Sequence, residues 1–465
     1  MRAKKFRLLD AVLAAVCVIL VVEAAAPSAA IGNSQYFWWV LLLVIFFMPY
    51  GMITAELGTT YSGKGGIFNW VNRAYGRKWG SRTAWFYWLH FAFWMASSSV
   101  LFTELLYQAF GIDLPVVATV LVHLTFIWTT SLLSLLSISE NRILINICTV
   151  FKVLLMGGLG ILGIYFGLTR GFANPVTSAR DLLPGFVGIA FIPIILFNFA
   201  GFEVVTTFSG AMENPKRQIP QALLLGGILM SAFYILAAFG ISVAIPVEEL
   251  TTYGGLLESY SLFFHDMGVR LDILLPIVAI MFLYTLFVNI VSWALGVNSV
   301  TSAAARDGAM PALFGKKNKS GAPWGSVLIN GVVASVLVVV APLIPNPDIF
   351  WGFFALQIMA LLFAYIPMFP AFRKLREIDP NAERPYRTPG GPVLIALMAY
   401  VPTVLLVLAA FFCMVYINAY GNWALDSMLL IGSICAIVTG EIVAYMMCKN
   451  KSPRARESKN VSLRT

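Results

Sequence analysis

The sequence predicts an all-α integral membrane protein with twelve transmembrane helices, and two observations lead to this fold class. Of the 465 residues, 59% are hydrophobic and only 11% are charged, whereas soluble domains have roughly 45–50% apolar and about 25% charged residues. Long apolar runs also recur along the whole chain, and a bilayer-spanning helix needs about 20 such residues. The composition therefore excludes a soluble enzyme, a disordered protein and a nucleic-acid-binding protein.

Twelve apolar runs are long enough to cross a bilayer. The first follows the basic N-terminal residues and continues past the length of a signal-peptide core, so we interpret it as a span. The predicted spans are 8–32, 36–57, 83–110, 114–136, 143–168, 183–211, 221–245, 271–305, 325–344, 349–372, 392–418 and 423–448. No segment between them is long enough for a soluble domain. Residues 1–465 are therefore expected to form one transmembrane domain that ends in a short basic tail, 449–465.

Basic residues lie almost entirely on one side of the twelve predicted spans. That side holds 27 of the 31 Lys and Arg residues, the other side holds only Arg170, Arg180 and Arg270, and Lys152 lies inside a span. Cytoplasmic loops of membrane proteins are enriched in Lys and Arg, so we expect both termini in the cytoplasm. The net charge of +9 then reflects topology, with a general attraction to anionic membrane lipid.

The sequence carries no pattern that indicates an enzyme, a metal site or a cofactor. The five cysteines lie in or at the ends of apolar runs without C-x-x-C spacing, so we predict small buried side chains without disulfide or metal roles. The glycine-rich segment 63–66 lacks the strand context and the ending of a phosphate-binding loop. Neither a nucleophile-elbow string nor a zinc-ligand spacing is present.

Two of the apolar runs contain a helix-breaking residue and a carboxylate at mid-membrane. The first run has Glu23 and Pro27, and the sixth has Gly201 and Glu203. A charged group at that depth costs at least about 2.5–3.5 kcal/mol, and paired interruptions in corresponding spans indicate a transporter site. We expect broken helices 1 and 6 in a five-plus-five inverted repeat, with repeats at 8–168 and 183–372 and helices 11 and 12 at 392–448. Ordinary kinks are the alternative.

Seven segments together resemble the amino acid–polyamine–organocation transporter superfamily over nearly the whole chain. They are PY at 49–50, AELG at 55–58, GGIFNWV at 65–71, GFE at 201–203, ENPKRQIP at 213–220, ARDGAMP at 305–311 and ERPYRTPG at 383–390. The order and spacing of these segments, more than any one of them, carry the similarity. The resemblance implies a LeuT-like fold and alternating-access transport of amino acids or amines across the plasma membrane, without ATP.

The substrate class is predicted from a departure from that superfamily's pattern. Many relatives that carry amino acids have a glycine-rich break in helix 1, whose amides hold the substrate carboxylate, but this chain has Glu23 and no glycine there. A fixed carboxylate repels a substrate carboxylate and attracts an ammonium group. We therefore predict a substrate dominated by positive charge, such as a decarboxylated amino acid or a diamine. The chain most resembles the bacterial exchangers of the agmatine–putrescine and glutamate–GABA kind, and this resemblance implies amine exchange. The alternative is a proton-coupled, sodium-independent symporter of neutral amino acids.

We expect the substrate site at the two breaks, where aromatic rings can hold an amine by cation–π attraction. The candidate substrate-binding residues are Glu23, Ala26, Ser28, Trp94, Phe197, Ala200, Phe202, Glu203 and Trp293. The resemblance implies a gating or proton-sensing role for Glu203 and a sodium-replacing role for Lys152. Each of these roles has an alternative. Glu203 could be a purely structural, hydrogen-bonded link at the helix break, and the Lys152 side chain could extend (snorkel) to the inner membrane interface. Glu23 could be protonated, or paired with His90 or Lys152.

The expected partners are a small amine or amino acid, protons as a possible coupling ion, and membrane lipid, with no nucleic acid; the chain is expected to be a monomer or a homodimer. We predict that His90 and His123 are interior histidines with satisfied hydrogen bonds. Glu56 is expected to pair with a basic residue of segment 63–82, as the family pattern implies. Glu104 and Glu441 receive no role from the sequence.

Overall fold

The structure, a computed structural model, describes residues 6–185, 192–250, 255–343, 349–415 and 423–449, and this part of the chain is almost entirely helical. The α-helices are α1 (Leu8–Ile19), α2 (Ala25–Ala29), α3 (Gln35–Leu42), α4 (Met48–Thr60), α5 (Gly66–Tyr75), α6 (Arg77–Phe110), α7 (Val116–Leu133), α8 (Arg142–Arg170), α9 (Ile192–Asn198), α10 (Phe202–Thr207), α11 (Pro215–Ala244), α12 (Gly255–Asp266), α13 (Leu271–Arg306), α14 (Trp324–Val340), α15 (Ile349–Tyr365), α16 (Met368–Ile378), α17 (Pro392–Val415) and α18 (Trp423–Lys449).

Ten helices in the described ranges are long and apolar enough to cross a membrane, so the chain is a multi-pass membrane protein. They coincide with ten of the twelve predicted runs. The first run becomes an eleventh span if α1 and the segment Val22–Ala29, which are bent by 45°, are counted together. The sixth run is present as the shorter apolar helix Ile192–Thr207, and part of that run, 186–191, lies outside the described residues.

The first segment is interrupted just before Glu23. Helix α1 ends at Ile19, the next two residues are extended, and a single 3₁₀ turn, Val22–Ala24, leads into α2. Pro27 is the third residue of α2, where its missing N–H costs nothing because the first helical N–H groups have no partner within the helix. Pro27 is therefore tolerated in the first turn of the restarted helix, and the break does not lie at this proline.

The sixth segment is interrupted at Gly201. Helix α9 ends at Asn198 and α10 begins at Phe202. Gly201 has a φ of +112°, which side chains with a Cβ rarely adopt. A Cβ at this position would also lie 2.7 Å from Cζ2 of Trp293. Both the backbone conformation and the close approach of the indole therefore require glycine.

The two interrupted segments lie inside a bundle of longer helices. Helix α1 packs between α8 and α11, and α10 packs against α1, α4 and α13. The long helices α6 and α13 contact each other, and α15 packs along α6. This arrangement surrounds both breaks with side chains from α6, α8, α11, α13 and α15.

Two expectations from the sequence are wrong outside the bundle centre. Glu56 pairs with Arg376 at 2.5 Å and with Arg384 at 3.2 Å, because the chain after α15 returns beneath α4; it does not pair with segment 63–82. The five cysteines are free, as predicted, but Cys435 and Cys448 are exposed, since α18 lies at the periphery.

Candidate functional site

Side chains from neighbouring helices cap the carbonyl groups at the end of α1. The last carbonyls of an α-helix have no partner within the helix. Lys152 of α8 donates to the carbonyls of Cys17, at 2.6 Å, and Leu20. Trp293 of α13 donates its Nε1–H to the Val18 carbonyl at 2.7 Å. These donors hold the first half of the broken segment in a defined place.

Tyr234 of α11 completes the cap. Its hydroxyl donates to the Ile19 carbonyl at 3.2 Å and accepts a hydrogen bond from the Val21 N–H at 2.8 Å. The same phenol therefore bonds backbone groups on both sides of the interruption. Four consecutive carbonyls, from residues 17 to 20, thus have side-chain donors, and the break leaves none of them unpaired.

Lys152 lies in the protein interior and not at a membrane surface. Its side chain is fully buried, and its ammonium also donates to Oδ1 of Asn289 at 2.8 Å. The positive charge lies at the C-terminal end of α1, where the helix dipole favours a cation. The alternative in which this lysine snorkels to the interface does not fit this position.

Glu23 lies directly after the first break with part of its carboxylate unpaired. The residue is 8% exposed, and its Oε1 is buried without a hydrogen-bond partner. The Lys152 ammonium and the Trp94 indole both lie near the Glu23 carboxylate. The Trp94 N–H nevertheless forms no hydrogen bond with it. In the described ranges, Glu23 forms no ion pair with His90 or Lys152. A buried anion of this kind is costly unless a cation compensates it.

Aromatic rings pack around Trp94, whose indole lies near the Glu23 carboxylate. The Trp94 ring lies 5.1 Å from that of Trp293 and 5.7 Å from that of Phe197, in edge-to-face arrangements. Phe197 in turn contacts Phe354 of α15 at 5.4 Å. Trp94, Phe197 and Trp293 are at most 2% exposed. We call Trp94, Phe197, Trp293 and Phe354 the aromatic cluster; π faces of this kind attract cations.

The two breaks face each other directly. Asn198, the last residue of α9, donates its amide to the Ala24 carbonyl of the first break at 3.1 Å. Its Oδ1 is buried without a partner. Ala200 is buried next to it, and Gly201 approaches a Val18 methyl group. The structure therefore brings both interrupted segments to one place, although they are far apart in the sequence.

Glu203 has a different environment, made of tyrosine hydroxyls. Tyr87 donates to its Oε1 at 2.6 Å, and Tyr50 donates to its other oxygen. Tyr365 lies 3.3 Å from the Tyr50 hydroxyl, and both phenols accept from the Gly201 N–H at 3.2 Å. Glu203 is fully buried. We call Tyr50, Tyr87 and Tyr365 the tyrosine cage.

The two carboxylates make separate sets of contacts at different positions along α6. Tyr87, which binds Glu203, precedes Trp94 by seven residues on α6, which is about 10 Å along a helix axis. No contact between Glu23 and Glu203 is found in the described residues. Glu23 faces the aromatic cluster, and Glu203 lies closer to the beginning of α6, inside the tyrosine cage.

Three other candidates face away from the aromatic cluster. The ring of Phe202 packs against Phe47 of the second membrane segment at 4.8 Å. Ala26 lies against the beginning of α12. The Ser28 hydroxyl donates to the Ala25 carbonyl within its own short helix, at 2.7 Å. The described part of the chain shows no ring contact or side-chain hydrogen bond between these three residues and Glu23 or the cluster.

His90 lies beside the aromatic cluster. Its ring is 5.4 Å from that of Trp293, and its Nδ1 is 2.6 Å from the Tyr87 carbonyl. The Nε2 is buried without a partner, as is Nδ1 of His123, so only half of each histidine's expected hydrogen bonding is found. Three other polar residues singled out in the sequence make side-chain contacts elsewhere in the bundle: buried His123 with Thr103, half-buried Glu104 with Gln108, and exposed Glu441 with Arg82.

The sequence reasoning missed the residues that hold the two breaks in place. They are Tyr50, Tyr87, Tyr234, Asn289, Phe354 and Tyr365. Phenylalanine in an apolar run gives no signal that separates the site from the core. Tyrosine and asparagine do give one, because a polar group buried in a membrane segment needs a hydrogen-bond partner, and each of these polar residues has one here.

Comparisons with known proteins bear on this arrangement. Residues 6–434 match the family described as "Amino acid permease". The chain is 45% identical over 445 residues to the "Probable agmatine/putrescine antiporter" of Lactococcus lactis subsp. lactis (strain IL1403), covering 95% of this chain and 94% of the relative. It is 24% identical over 383 residues to that strain's "Glutamate/gamma-aminobutyrate antiporter" (78% and 75% covered), and 26% identical over 370 residues to a "Probable polyamine transporter" of Arabidopsis thaliana (77% and 69% covered).

Proposed function

The chain belongs to the amino acid permease family, and from this premise we propose that it exchanges small amines of the agmatine–putrescine kind across the cell membrane. The exchange proceeds by alternating access and uses neither ATP nor an enzymatic step. The 45% identity to a probable agmatine/putrescine antiporter, over 95% of this chain, supports this substrate class. The observation in the structure that carries the proposal is the unpaired carboxylate of Glu23 at the first break.

An ammonium or guanidinium group is the substrate group that best completes the Glu23 site. The buried Oε1 without a partner can accept a charge-assisted hydrogen bond, which is stronger than a neutral one. A substrate carboxylate at the same place would meet a like charge at short range, and this costs several kcal/mol. Decarboxylated amino acids and diamines satisfy the site without that repulsion.

The aromatic cluster supplies the apolar walls for the same cation. Each π face contributes about 0.5–2 kcal/mol of cation–π attraction, more when the cation is desolvated. The rings of Trp94 and Trp293 lie edge to face, so the two π faces point in different directions around the proposed site. We assign substrate binding to Glu23, Trp94, Phe197 and Trp293, with Ala200 at the second break. Ala26, Ser28 and Phe202 reach the substrate only if another conformation turns them inward.

Lys152 takes the place of a coupling cation. Its ammonium ties the end of α1 to α8 and, through Asn289, to α13, which is what a metal ion bound by carbonyl oxygens would do. Since this charge is covalently part of the chain, we propose that transport is independent of sodium. Replacement of sodium by choline in the assay is expected to leave the rate unchanged.

Glu203 and the tyrosine cage form the gate in this proposal. The cage links α4, α6, α10 and α15 through hydrogen bonds that meet at one carboxylate. Movement of α10 against α6 has to break the bond between Glu203 and Tyr87. We propose that Glu203 controls this movement and that a proton on its carboxylate weakens the cage.

We further propose the complete architecture that the sequence predicts. The chain has twelve spans, with a first repeat at 8–168, an inverted second repeat at 183–372 and two appended helices at 392–448. The interruptions at the first and sixth spans, which face each other through Asn198 and Ala24, support this LeuT-like repeat. The distribution of Lys and Arg supports cytoplasmic termini in the plasma membrane, including the tail 449–465.

Counterflow in proteoliposomes tests the function. Vesicles that contain the purified chain are loaded with unlabelled agmatine, and uptake of labelled putrescine is measured without sodium and without ATP. We expect internal agmatine to accelerate uptake at least tenfold over empty vesicles, and internal alanine to have little effect. Uptake that is driven by a proton gradient, prefers neutral amino acids and shows little acceleration would instead support the alternative, a proton-coupled symporter, for which Glu203 is the candidate proton carrier.

A further inference from the structure

A groove lies on the side of α6 that faces away from the two breaks. Its volume is 580 Å³, and its walls come from α6, α14, α15 and α18. On α6 the wall consists of Trp85, Leu89 and Phe93, together with Trp88; on α18 it includes Cys435. The wall is almost wholly apolar, and it belongs to helices that cross the membrane. The groove is therefore at the depth of the lipid hydrocarbon.

Basic residues continue the same face of α6 at its N-terminal end. Lys78, Arg82, Trp85, Leu89 and Phe93 follow one another at intervals of three or four residues, so their side chains lie on one face of the helix. The face begins with two cations and continues as an aromatic and aliphatic wall. Amphiphiles with an anionic head and a hydrocarbon tail have the complementary order.

The rim at this end of the groove has an excess of positive charge. Arg82 pairs with Glu441 of α18 at 2.6 and 2.8 Å. The Lys78 ammonium is also close enough to attract the Glu441 carboxylate electrostatically. Lys78 is exposed. In the described part of this rim, the Glu441 carboxylate therefore faces both Lys78 and Arg82, which favours a further anion.

The wall of the groove also offers hydrogen-bond donors without acceptors. The indole N–H groups of Trp85 and Trp88 are buried, and neither has a hydrogen-bond partner in the described structure. Tryptophan at the membrane interface commonly directs its N–H to polar groups of lipids. Trp85 and Trp88 lie about one and two turns from Arg82 of the cationic rim, at the level where the ester oxygens of a lipid with its phosphate at that rim would lie.

We propose that this groove binds one anionic glycerophospholipid of the inner leaflet. The phosphate lies at Lys78 and Arg82, the ester region lies near Trp85 and Trp88, and an acyl chain fills the groove as far as Phe93. The leaflet follows from the cytoplasmic N-terminus proposed above. Residues 450–465 carry five basic residues and one acidic residue, so their charge is not complementary to that of the rim.

Native mass spectrometry of the purified full-length chain tests this proposal. The protein is equilibrated with an equimolar mixture of phosphatidylglycerol and phosphatidylcholine, and the bound lipid is measured. We expect one retained phosphatidylglycerol per chain and little phosphatidylcholine. Lys78→Gln should lower phosphatidylglycerol retention roughly fivefold. Lys374→Gln removes an exposed charge of the same membrane face, away from the groove, and should have no effect.

A second variant tests the groove separately from the rim. Cys435→Phe places a ring in the groove and should reduce retention of the lipid, with the rim charges unchanged. Equal retention of both lipids by the wild type would overturn the proposal. So would retention by Lys78→Gln and Cys435→Phe that equals that of Lys374→Gln. A wild-type dimer that Cys435→Phe dissociates without loss of lipid would overturn it as well, since a second copy of the chain would then fill the groove.

Discussion

Glu23 and Glu203 are both buried carboxylates, but their surroundings differ in what they leave unsatisfied. Glu203 accepts hydrogen bonds from Tyr50 and Tyr87, which compensates much of the cost of burying it. Glu23 keeps a buried oxygen without a partner. At the scale of single residues, an unsatisfied anion suits recognition of a cation from outside, and a satisfied one suits a structural link that a proton can weaken.

The role of Glu203 can be tested by the pH dependence of transport. In the proposal, a proton on Glu203 weakens the tyrosine cage, so Glu203→Gln removes a titrating group and should flatten the pH profile of putrescine exchange. Glu104→Gln is the matched control, because Glu104 contacts only Gln108 among the described side chains, and its profile should follow the wild type. If the pH profile of Glu203→Gln keeps the wild-type shape, Glu203 has only a structural role as a hydrogen-bonded link at the helix break.

The role of Lys152 can be tested by thermal unfolding. Lys152→Met removes the donor to Cys17, Leu20 and Asn289, and each buried acceptor left unpaired costs about 1–3 kcal/mol. We therefore expect a clearly lower melting temperature in detergent, together with loss of exchange. Lys216→Met is the control, since Lys216 forms an exposed pair with Glu383 of the kind that contributes little to stability. Equal melting of both variants would contradict the proposed role.

Single residues stand out in the sequence most clearly where their chemistry conflicts with a membrane. Glu23, Glu203 and Lys152 stand out because charges are rare in apolar runs. The orientation of Phe202 and the partner of Glu56 could not be predicted, because both depend on which helices meet. Phe202 packs against the second membrane segment, and Glu56 pairs with basic residues more than 300 positions away.

At the scale of elements, the interrupted segments depend on local backbone requirements. Gly201 has a φ of +112° and lies against the Trp293 ring. Gly201→Ala should lower stability by about 1–3 kcal/mol, the cost of a residue held in a sparsely populated backbone region, and should reduce exchange more strongly by displacing Trp293. The melting temperature and the initial rate of putrescine exchange measure the two effects.

Gly210→Ala is the matched control for this substitution. A Cβ at Gly210 would meet no atom within 4 Å, so the variant should behave like the wild type. If Gly201→Ala were equally neutral, the second break would not need its glycine, and the close approach of the two interrupted segments would lose its physical basis.

The positions of the long membrane-spanning helices, which follow from hydropathy alone, were predicted well. Ten long apolar helices coincide with predicted runs, because the length of a span is set by the bilayer. The short helices α5 and α16 were not separated from the loops or spans beside them, since an amphipathic helix at an interface gives a weaker signal than an apolar span. The first break was expected in the segment that holds Glu23 and Pro27, and it lies just before Glu23, because proline is tolerated in the first turn of the restarted helix.

At the scale of the whole molecule, the two breaks, the aromatic cluster and the tyrosine cage lie at successive depths along α6. Trp94 belongs to the cluster, and Tyr87 of the cage comes about 10 Å earlier along the helix axis. The cluster is closed in this conformation, with Trp94, Phe197 and Trp293 at most 2% exposed. In the proposed mechanism, a substrate held by Glu23 passes the tyrosine cage when it leaves toward the beginning of α6. This arrangement matches a carrier that opens to one side at a time.

Equilibrium binding to the purified chain tests the central claim most directly, with agmatine and arginine as the ligand pair, since they differ by one carboxylate. The wild type should bind agmatine at least about tenfold more tightly than arginine, because the Glu23 carboxylate repels the substrate carboxylate. In Glu23→Gln this preference should largely disappear, whereas Glu104→Gln should keep it. Equal affinity of the wild type for both ligands, or an unchanged preference in Glu23→Gln, would contradict recognition of the amine by Glu23.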